Sequence, residues 1–364
     1  MRTSVSLAFF AAALGCSTLT SAAPPTTYRV TEFGGDDTAN QLTFIGGINN
    51  LGAVTLTVVN FSNGTSQGYL WQDGQRTPLS VPDSICGSGA KFAPNGINDR
   101  GQIVGVVTSA NGCYQSVIWQ GGKVVQVIGP PPTGYASVYG GGLNDLDLVA
   151  GTAEGIQSSV QTSFLWQNGK FTLLPGLPGS QPGGPGGTEI GGFNELGVAV
   201  GTSGATDGQH AVIWRNGAVA DLGICAGAFN SYAASINNLG VIVGSCDTYT
   251  FSPVIWQNGQ MTPLPMPASG PQSVQAGSIN DFGQIVGASY PTGGYLDDAG
   301  AALLWQGGTV YDLNTLIAPN DPLKPYIRLL QAGAITDTGI ILANGEDSRV
   351  PNNLAIGFVL TPVH

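Results

Sequence analysis

Residues that support acid–base catalysis are scarce in this sequence. Only two of its 364 residues are histidines, and one of them, His364, is the last residue. His210 and Asp207 lie three residues apart and form one acid–base pair, with no nucleophile or third partner evident beside them. We predict no catalytic residue, and the alternative of a hydrolase or lyase depends on this pair.

Adjacent carboxylates are the candidate metal ligands. Asp36 with Asp37, and Asp297 with Asp298, supply oxygens of the kind that Ca²⁺ prefers. The D-x-D-x-D-G spacing of a calcium loop is missing, and the histidines and cysteines do not have the spacing of a zinc site. We therefore predict neither a metal site nor a cofactor.

The charge balance argues against polyanionic partners. The chain carries 11 basic and 22 acidic residues, a net charge of −11 at pH 7. Binding of nucleic acid or of an anionic membrane relies on Lys and Arg, so we expect neither partner. Only 9% of the residues are charged, 42% are hydrophobic and 56 are Gly, a composition typical of a loop-rich β protein.

Two motifs recur along the chain. The first, INDFGQIVG at 279–287, has seven versions. Its second residue, Asn in six copies and Thr in the last, falls at 49, 98, 144, 194, 237, 280 and 336. The second motif, such as VIWQNGQMTPL at 254–264, follows each of the first six copies, and it holds all six tryptophans of the protein, at 71, 119, 166, 214, 256 and 305. A repeat of this length indicates an array of equivalent structural units.

Each repeat predicts four short antiparallel strands. The first motif turns the chain at N-x-x-G, where Gly accepts a positive φ, and the second contains the hairpin signal Asn-Gly or Gly-Gly. Four strands in every repeat are typical of a β-propeller blade. The seventh repeat stops after three strands, with Phe358 in place of the tryptophan, and YRVTEF at 28–33 has the pattern of the missing strand. We predict an all-β, seven-bladed propeller of four-stranded antiparallel blades, in which the N-terminal strand closes the last blade.

The N-terminus has the pattern of a secretion signal. An apolar run, VSLAFFAAALG, follows Arg2, and small residues lead to the predicted cleavage after Ala22. The alternative is a lipoprotein, because ALGC approximates a lipobox ending at Cys16. We predict a signal peptide at 1–22, a single propeller domain at 23–364, no transmembrane segment, and a secreted or periplasmic monomer.

Four cysteines remain after residue 22, an even number in an exported chain. Cys86 and Cys225 each lie twelve residues before a motif Asn, and Cys113 and Cys246 each follow the motif in the same repeat. This register selects Cys86–Cys113 and Cys225–Cys246 among the three pairings.

The second motif supports a family resemblance. HAVIW at 210–214, followed by NG and ADLG, together with IN-x-x-G-x-I-V-G, resembles the repeat of the bacterial extracellular HAF-repeat family. The similarity covers nearly the whole chain after residue 22, although the His of the motif is present only as His210. The resemblance implies an exported repeat protein with no defined reaction, and it assigns no catalytic residue.

Long and varied connections predict where a ligand binds. In a propeller the hairpin turns of each blade lie on one face, and here they are short. The longer connections lie on the opposite face, which is where binding sites usually occur. Eight of the eleven tyrosines fall in these connections, and Tyr suits neutral glycans and peptides. The candidate ligand-binding residues are Tyr114, Tyr135, Tyr139, Tyr232, Tyr249, Tyr290, Tyr295 and Tyr326.

These observations favour a binding or interaction module whose long-loop face meets a neutral glycan, a peptide or a protein. Two other classes stay open at this point. One is the hydrolase or lyase already mentioned, and the other is a structural surface protein without a small ligand.

Overall fold

The computed structural model describes residues 27–33, 41–156, 161–180, 187–268, 270, 273–291, 300–350 and 356–363. Within these ranges, 28 strands form seven four-stranded antiparallel sheets. The sheets are the blades of the predicted seven-bladed β-propeller. The predicted signal peptide, Cys16, the two Asp pairs and His364 lie outside the described residues.

The blades follow the order of the chain. Blade 1 comprises β2 (Gln41–Ile48), β3 (Val54–Asn60), β4 (Thr65–Gln72) and β5 (Gln75–Pro78). Blade 2 comprises β6 (Lys91–Ile97), β7 (Ile103–Thr108), β8 (Tyr114–Gln120) and β9 (Lys123–Ile128). Blade 3 comprises β10 (Tyr135–Leu143), β11 (Val149–Gly155), β12 (Gln161–Gln167) and β13 (Lys170–Leu173). Blade 4 comprises β14 (Thr188–Phe193), β15 (Ala199–Ala205), β16 (Gly208–Arg215) and β17 (Ala218–Asp221).

The remaining blades continue this pattern and include the chain ends. Blade 5 comprises β18 (Asn230–Ile236), β19 (Ile242–Asp247), β20 (Phe251–Gln257) and β21 (Gln260–Pro263). Blade 6 comprises β22 (Ser273–Ile279), β23 (Ile285–Tyr290), β24 (Ala301–Gln306) and β25 (Thr309–Asp312). Blade 7 comprises β26 (Ile327–Ile335), β27 (Ile341–Asp347), β28 (Ile356–Val363) and β1 (Thr27–Phe33). The first strand of each blade in chain order, from β2 to β26, is the inner strand, which lines the central channel.

The core lies between the blades. The second strands are buried on both faces, as in β23, whereas outer strands such as β5 are mostly exposed. All six tryptophans are 1–7% exposed. The indole nitrogen of Trp119 in blade 2 donates to the backbone oxygen of Ser80 at 3.0 Å, in the connection from blade 1. The tryptophans therefore join neighbouring blades, because burial of a large ring between two sheets stabilises the stack.

The N-terminal strand closes blade 7, as the sequence predicts. β1 pairs with β28 from Thr27↔Val363 to Phe33↔Gly357 and forms the outer edge of the sheet. Its free edge is covered, since the backbone nitrogen of Val30 donates to Asp321 Oδ2 at 2.8 Å. Closure of the ring removes an exposed sheet edge that would pair with other chains.

The propeller has two faces of different character. The hairpin face carries the turns between the first and second strands and between the third and fourth strands of each blade. The loop face carries the turns between the second and third strands and the connections between blades. Two short helical turns that the sequence analysis did not predict, α1 (Asp83–Cys86) and a 3₁₀ turn (Leu313–Leu316), lie in these connections.

Both predicted disulfides are present. Cys86 bonds to Cys113, and Cys225 bonds to Cys246, with sequence separations of 27 and 21 residues. Each disulfide starts in a connection between blades: Cys86–Cys113 ties it to the turn between the second and third strands of blade 2, and Cys225–Cys246 ties it to the second strand of blade 5. Cross-links that close loops of this length stabilise a fold by about 3 kcal/mol, and both reinforce the loop face.

Each inner strand carries a β-bulge near its end. The unpaired residue lies three before the motif Asn or Thr, as with Asn95 between Pro94 and Gly96, or Gly333 between Ala332 and Ala334. A bulge bends the strand and redirects nearby side chains.

Candidate functional site

Each motif Asn is buried and links its blade to the next one. In blade 4, Asn194 Oδ1 accepts hydrogen bonds from the backbone nitrogens of Leu196 and Val198 at 3.1 and 3.0 Å. Its Nδ2 donates to the backbone oxygen of Asn237 in blade 5 at 3.0 Å. Equivalent Nδ2 bonds connect all blades from 1 to 7. The motif asparagines are therefore structural, in agreement with the turn chemistry from which the propeller was predicted.

The structure distributes the predicted tyrosines around the loop face. Five of them lie within strands rather than in the connections where the sequence analysis placed them: Tyr114, Tyr135, Tyr139, Tyr232 and Tyr290. Tyr295 lies outside the described residues. The rings of Tyr114 and Tyr139 contact each other, with centroids 4.6 Å apart, where blades 2 and 3 meet. Tyr232 and Tyr290 line one pocket. The others lie apart: Tyr135 packs against the core between blades 2 and 3, Tyr249 is 89% exposed, and Tyr326 stacks under the Arg349 guanidinium.

One position of the repeat lines the channel towards the loop face. It lies five residues before the motif Asn or Thr, and it pairs with the fourth residue of the second strand in every blade. We call it the wall position. Its occupants are Phe44, Ala93, Tyr139, Glu189, Tyr232, Gln275 and Gln331. The side chains differ from blade to blade although the backbone is the same, so this position gives each sector of the channel its own chemistry.

Three wall residues contribute to a pocket at the loop-face end of the channel, between blades 5, 6 and 7. This loop-face pocket has a volume of about 450 Å³. Tyr232, Gln275 and Gln331 come from the wall position, and Phe251 and Tyr290 add aromatic rings from strands β20 and β23. The Tyr232 and Phe251 rings lie 6.1 Å apart at an angle of 61°. The pocket combines aromatic surfaces with planar carboxamides.

The lining of the pocket is uncharged. Its described lining residues include no Asp, Glu, Lys, Arg or His. Burial raises the pKa of the Tyr290 phenol, and burial followed by the charges of Asp247 and Glu189 raises the pKa of Tyr232. Both phenols are therefore neutral at physiological pH, and no ionic group selects for a charged ligand.

The polar groups of the pocket are not used by the fold. Among the described residues, the Gln275 and Gln331 carboxamides have no hydrogen-bond partner. The Tyr290 hydroxyl, on a side chain that is 5% exposed, has no partner in the described part of the chain either. A buried polar group without a partner costs free energy, which applies to the Tyr290 hydroxyl. The Gln275 side chain is half-buried and Gln331 is exposed, so their carboxamides are accessible to a ligand.

Small residues at the bulges leave room for the loop-face pocket. Gly277 and Gly333 are the bulge residues of β22 and β26, and a Cβ at Gly333 would meet no heavy atom within 4 Å. In blade 4 the bulge residue Gly191 has no such freedom, because a Cβ there would lie 2.2 Å from the Ala233 oxygen. Gly277 and Gly333 thus leave the pocket open between blades 5, 6 and 7.

A second polar cluster occupies the boundary of blades 2 and 3. The Tyr139 hydroxyl donates to Glu154 Oε2 at 2.5 Å, and Ser137 Oγ donates to the same oxygen at 3.1 Å. The hydrogen bond to Glu154 raises the pKa of Tyr139, and burial raises that of Tyr114. Tyr139 is thus held by its own blade, whereas the polar groups of the loop-face pocket are free.

His210, which the sequence pairs with Asp207, has a second acidic neighbour in the structure. His210 is 8% exposed, and its Nδ1 lies 2.9 Å from Asp221 Oδ2 in the neighbouring strand. Its Nε2 lies 3.1 Å from Asp207 Oδ1, without the alignment of a hydrogen bond. Carboxylates therefore flank both ring nitrogens, and His210 does not line the loop-face pocket.

One string matches the pattern of a serine nucleophile. Residues 64–68 read G-T-S-Q-G, but Ser66 lies within β4 and pairs with Val59. A nucleophile elbow requires a sharp turn from a strand into a helix, so this match does not form one. Among the described residues, no three His, Cys, Asp or Glu side chains are placed to hold a metal ion. No helix in that part of the chain is long and apolar enough to cross a membrane.

The fold and the pocket together define a seven-bladed β-propeller with an uncharged recess at one end of its channel. No protein-family model and no curated protein sequence matches the chain. The β-propeller domain of the Trilobed protease from Pyrococcus furiosus is 10% identical, with a TM-score of 0.53 over 87% of this chain and 93% of that one. YCF48 from Cyanidioschyzon merolae is 9% identical, with a TM-score of 0.54 over 92% and 99% of the two chains. At these identities the similarity shows the propeller fold alone.

Proposed function

We propose that this protein is an exported binding module that holds a neutral glycan in the loop-face pocket. The observation that carries the proposal is the lining itself: aromatic rings beside carboxamides that the fold leaves unpaired, with no charged side chain. The flat apolar faces of a neutral sugar stack on aromatic rings, and its hydroxyls bond to amides and phenols. The volume of 450 Å³ lies within the range of about 300–1,000 Å³ that is usual for ligand pockets.

Export is part of the proposal. Two disulfides in one domain are characteristic of oxidising compartments, and the N-terminal segment has the pattern of a secretion signal. A secreted or periplasmic protein meets envelope and extracellular glycans. The resemblance to the HAF-repeat family, which implies an exported protein, agrees with this location.

A binding role fits the site better than hydrolysis or a lyase reaction. Most glycoside hydrolases use two carboxyl groups that flank the scissile bond, and the described lining of the pocket contains none. The flanked His210 lies elsewhere in blade 4.

Titration calorimetry of the oxidised protein against a panel of sugars tests the proposal. The panel contains neutral gluco-, manno-, galacto- and xylo-oligosaccharides, uronic-acid and sulfated oligosaccharides, and uncharged peptides. We expect binding to at least one neutral sugar, weakened about tenfold or more in Gln275→Ala/Gln331→Ala, because each lost hydrogen bond to a buried ligand costs about 1 kcal/mol or more.

The matched control is Tyr249→Ala, which removes an exposed side chain outside the pocket and should keep the affinity. Binding restricted to charged sugars, or equal binding by the double Gln variant, would contradict the proposed site. Binding of the peptides alone would replace the glycan by a peptide ligand.

A further inference from the structure

The hairpin face carries a ring of exposed apolar side chains. They occupy the residue two after the motif Asn, at the tip of each turn between the first and second strands, which we call the tip position. Five of the seven tips are large and apolar, with exposures of 59–73%: Leu51, Leu146, Leu196, Leu239 and Phe282. The outer turns of the same face consist of Asp-Gly, Asn-Gly or Gly-Gly. Apolar exposure on these turns is therefore concentrated around the channel.

The fold does not require apolar tips. Blade 2 has Arg100 at the tip, and its backbone nitrogen donates to Asn98 Oδ1 at 3.2 Å, as the nitrogen of Leu196 donates to Asn194 Oδ1 at 3.1 Å. Blade 7 has Thr338. The same turn thus forms with polar tips. Exposed large apolar side chains that cluster on one face of a domain indicate an interaction site.

A ring of carboxylates lies inside the tips. The residue one after the motif Asn or Thr is acidic in five blades: Asp99, Asp145, Glu195, Asp281 and Asp337. Each backbone nitrogen at this position donates to the side-chain oxygen of the next blade, and the ring closes from the nitrogen of Asp337 to Asn50 Oδ1 at 2.8 Å. Four of these acidic residues line a cavity of about 390 Å³ at the channel mouth: Asp99, Asp145, Glu195 and Asp337.

The negative charge at this mouth is only partly balanced. Burial, and then the charges of Asp145 and Asp99, raise the pKa of Glu195, against the lowering effect of the hydrogen bond from Asp145. The nearby cation, Arg100, is bonded to Asp147 at 2.5 Å. A positive group placed in the mouth would be attracted by several carboxylates at once.

A groove with leucine walls extends from the tips between blades 3 and 4. It has a volume of about 530 Å³, and Leu146, Leu148, Leu165 and Leu196 form its apolar part. Its charged lining residues are Glu195 and Lys170. The groove gives the hairpin face a concave subsite in addition to its exposed tips, which is the form that buried anchors of protein partners require.

We propose that the hairpin face is a docking surface for a partner protein that inserts a Lys or Arg side chain into the acidic mouth and covers the leucine tips with apolar residues. Charge complementarity selects this occupant. A second copy placed face to face would oppose two acidic rings, and an anionic membrane or a nucleic acid would be repelled. This surface lies on the face opposite the loop-face pocket and does not depend on it.

Selection from a phage-displayed library of random dodecapeptides on the immobilised full chain tests the proposal, followed by anisotropy titration of the selected peptides. We expect enriched peptides with a Lys or Arg flanked by Leu, Ile, Phe, Met or Trp. Leu146→Ser/Leu196→Ser/Leu239→Ser should weaken their binding at least about tenfold. Asp145→Asn/Asp337→Asn should weaken it as well and reduce its salt dependence.

The substitutions are compatible with the fold, because Thr338 is a polar tip and Asn50 and Asn238 already occupy the carboxylate position. Thermal unfolding checks each variant. The matched control is Phe61→Ser/Ile156→Ser, which exchanges residues of similar exposure, 59% and 74%, on the loop face and should leave the affinity unchanged.

Three results would overturn the proposal: no enriched peptide, peptides without a basic residue, or equal binding by the tip variant. A sedimentation measurement of the oligomeric state, made on the protein alone, could give a fourth such result. A dimer that disappears in the tip variant would make a second copy the occupant.

Discussion

Substitution of one motif asparagine should weaken the whole ring of blades. Asn194→Ala removes three hydrogen bonds: two that Oδ1 accepts within the turn, and the Nδ2 bond to Asn237 that joins blade 4 to blade 5. The side chain is 5% exposed, so water does not replace these bonds freely. The turn nitrogens of Leu196 and Val198 lose their partner.

The magnitude follows from the number of bonds. Three hydrogen bonds at a net value of about 1 kcal/mol each predict a loss of about 3 kcal/mol in the free energy of unfolding. For a folded domain of roughly 340 residues, with an unfolding entropy of about 2.1 cal/mol/K per residue, this corresponds to a decrease in Tm of about 4 °C.

Thermal and urea unfolding, followed by tryptophan fluorescence, measures the effect. Asn194→Thr is the graded control, because in blade 7 Thr336 Oγ1 accepts the nitrogen of Ile340 at 3.1 Å. It should retain about one of the three bonds and fall between wild type and Asn194→Ala. A change below about 0.5 kcal/mol for Asn194→Ala, the size of an ordinary surface substitution, would refute the assignment of the motif asparagines as links between blades.

Three further predictions follow from the ring and its closure. Thr336→Asn should supply the missing Nδ2 link from blade 7 to blade 1 and raise the free energy of unfolding by about 1 kcal/mol; an unchanged or lower value would show that this link does not form. Deletion of residues 28–33 should abolish a single cooperative unfolding transition, because blade 7 loses its outer strand; indifference to the deletion would contradict the closure. The buried Asp347 carboxylate is hydrogen-bonded by Arg349, which holds its pKa below the usual range. The contribution of the Asp347 carboxylate to the free energy of unfolding is therefore present above the unfolded pKa of about 3.9. It is lost as pH falls through the lowered pKa of the folded state. Urea unfolding should show Asp347→Asn less stable than wild type at pH 7, with the difference shrinking below about pH 4; a constant difference would contradict this coupling.

Glu32 modifies the same pH dependence in the opposite direction. Burial and the charge of Asp347 raise its pKa, although Arg349 lies 2.9 Å away. A raised folded pKa means that the cost of ionising Glu32 disappears as pH falls through that value. Asp347→Asn also removes the charge that raises the pKa of Glu32, so the comparison of wild type with Asp347→Asn measures the two coupled carboxyl groups together.

The fold could be predicted from the sequence because the copies of the repeat are recognisable in it. Six N-x-x-G or T-x-x-G turns, the equivalent N-x-x-D turn at 144–147, and six tryptophans at equal positions define the blades. The incomplete seventh repeat predicts the closing strand. The disulfides follow from the same register. The helical turn at Asp83–Cys86 does not, because a single turn within a connection has no periodic pattern.

The candidate site was less predictable. Tyr232 and Tyr290 stood out as aromatic residues, but Gln275 and Gln331 did not, since an isolated Gln in a strand gives no signal about the face on which it lies. Alignment of the seven repeats supplies that signal: the chemistry of the wall position varies from blade to blade while its backbone register is constant. The chain of bonds through the carboxylates on the hairpin face depends on contacts between blades, which no single repeat contains.

A larger side chain that fills the loop-face pocket tests most directly whether a ligand binds there. Gly333→Leu should project into the pocket without strain, because Asn95 and Ala234 show that the bulge accepts a side chain. Gly141→Leu is the matched control at the same bulge position in blade 3, where a Cβ would meet only the Ala150 oxygen at 3.7 Å. We would titrate both variants and wild type with the neutral oligosaccharide that binds best. Loss of binding in Gly333→Leu alone is the predicted result, and equal binding by all three proteins would contradict a ligand site in this pocket.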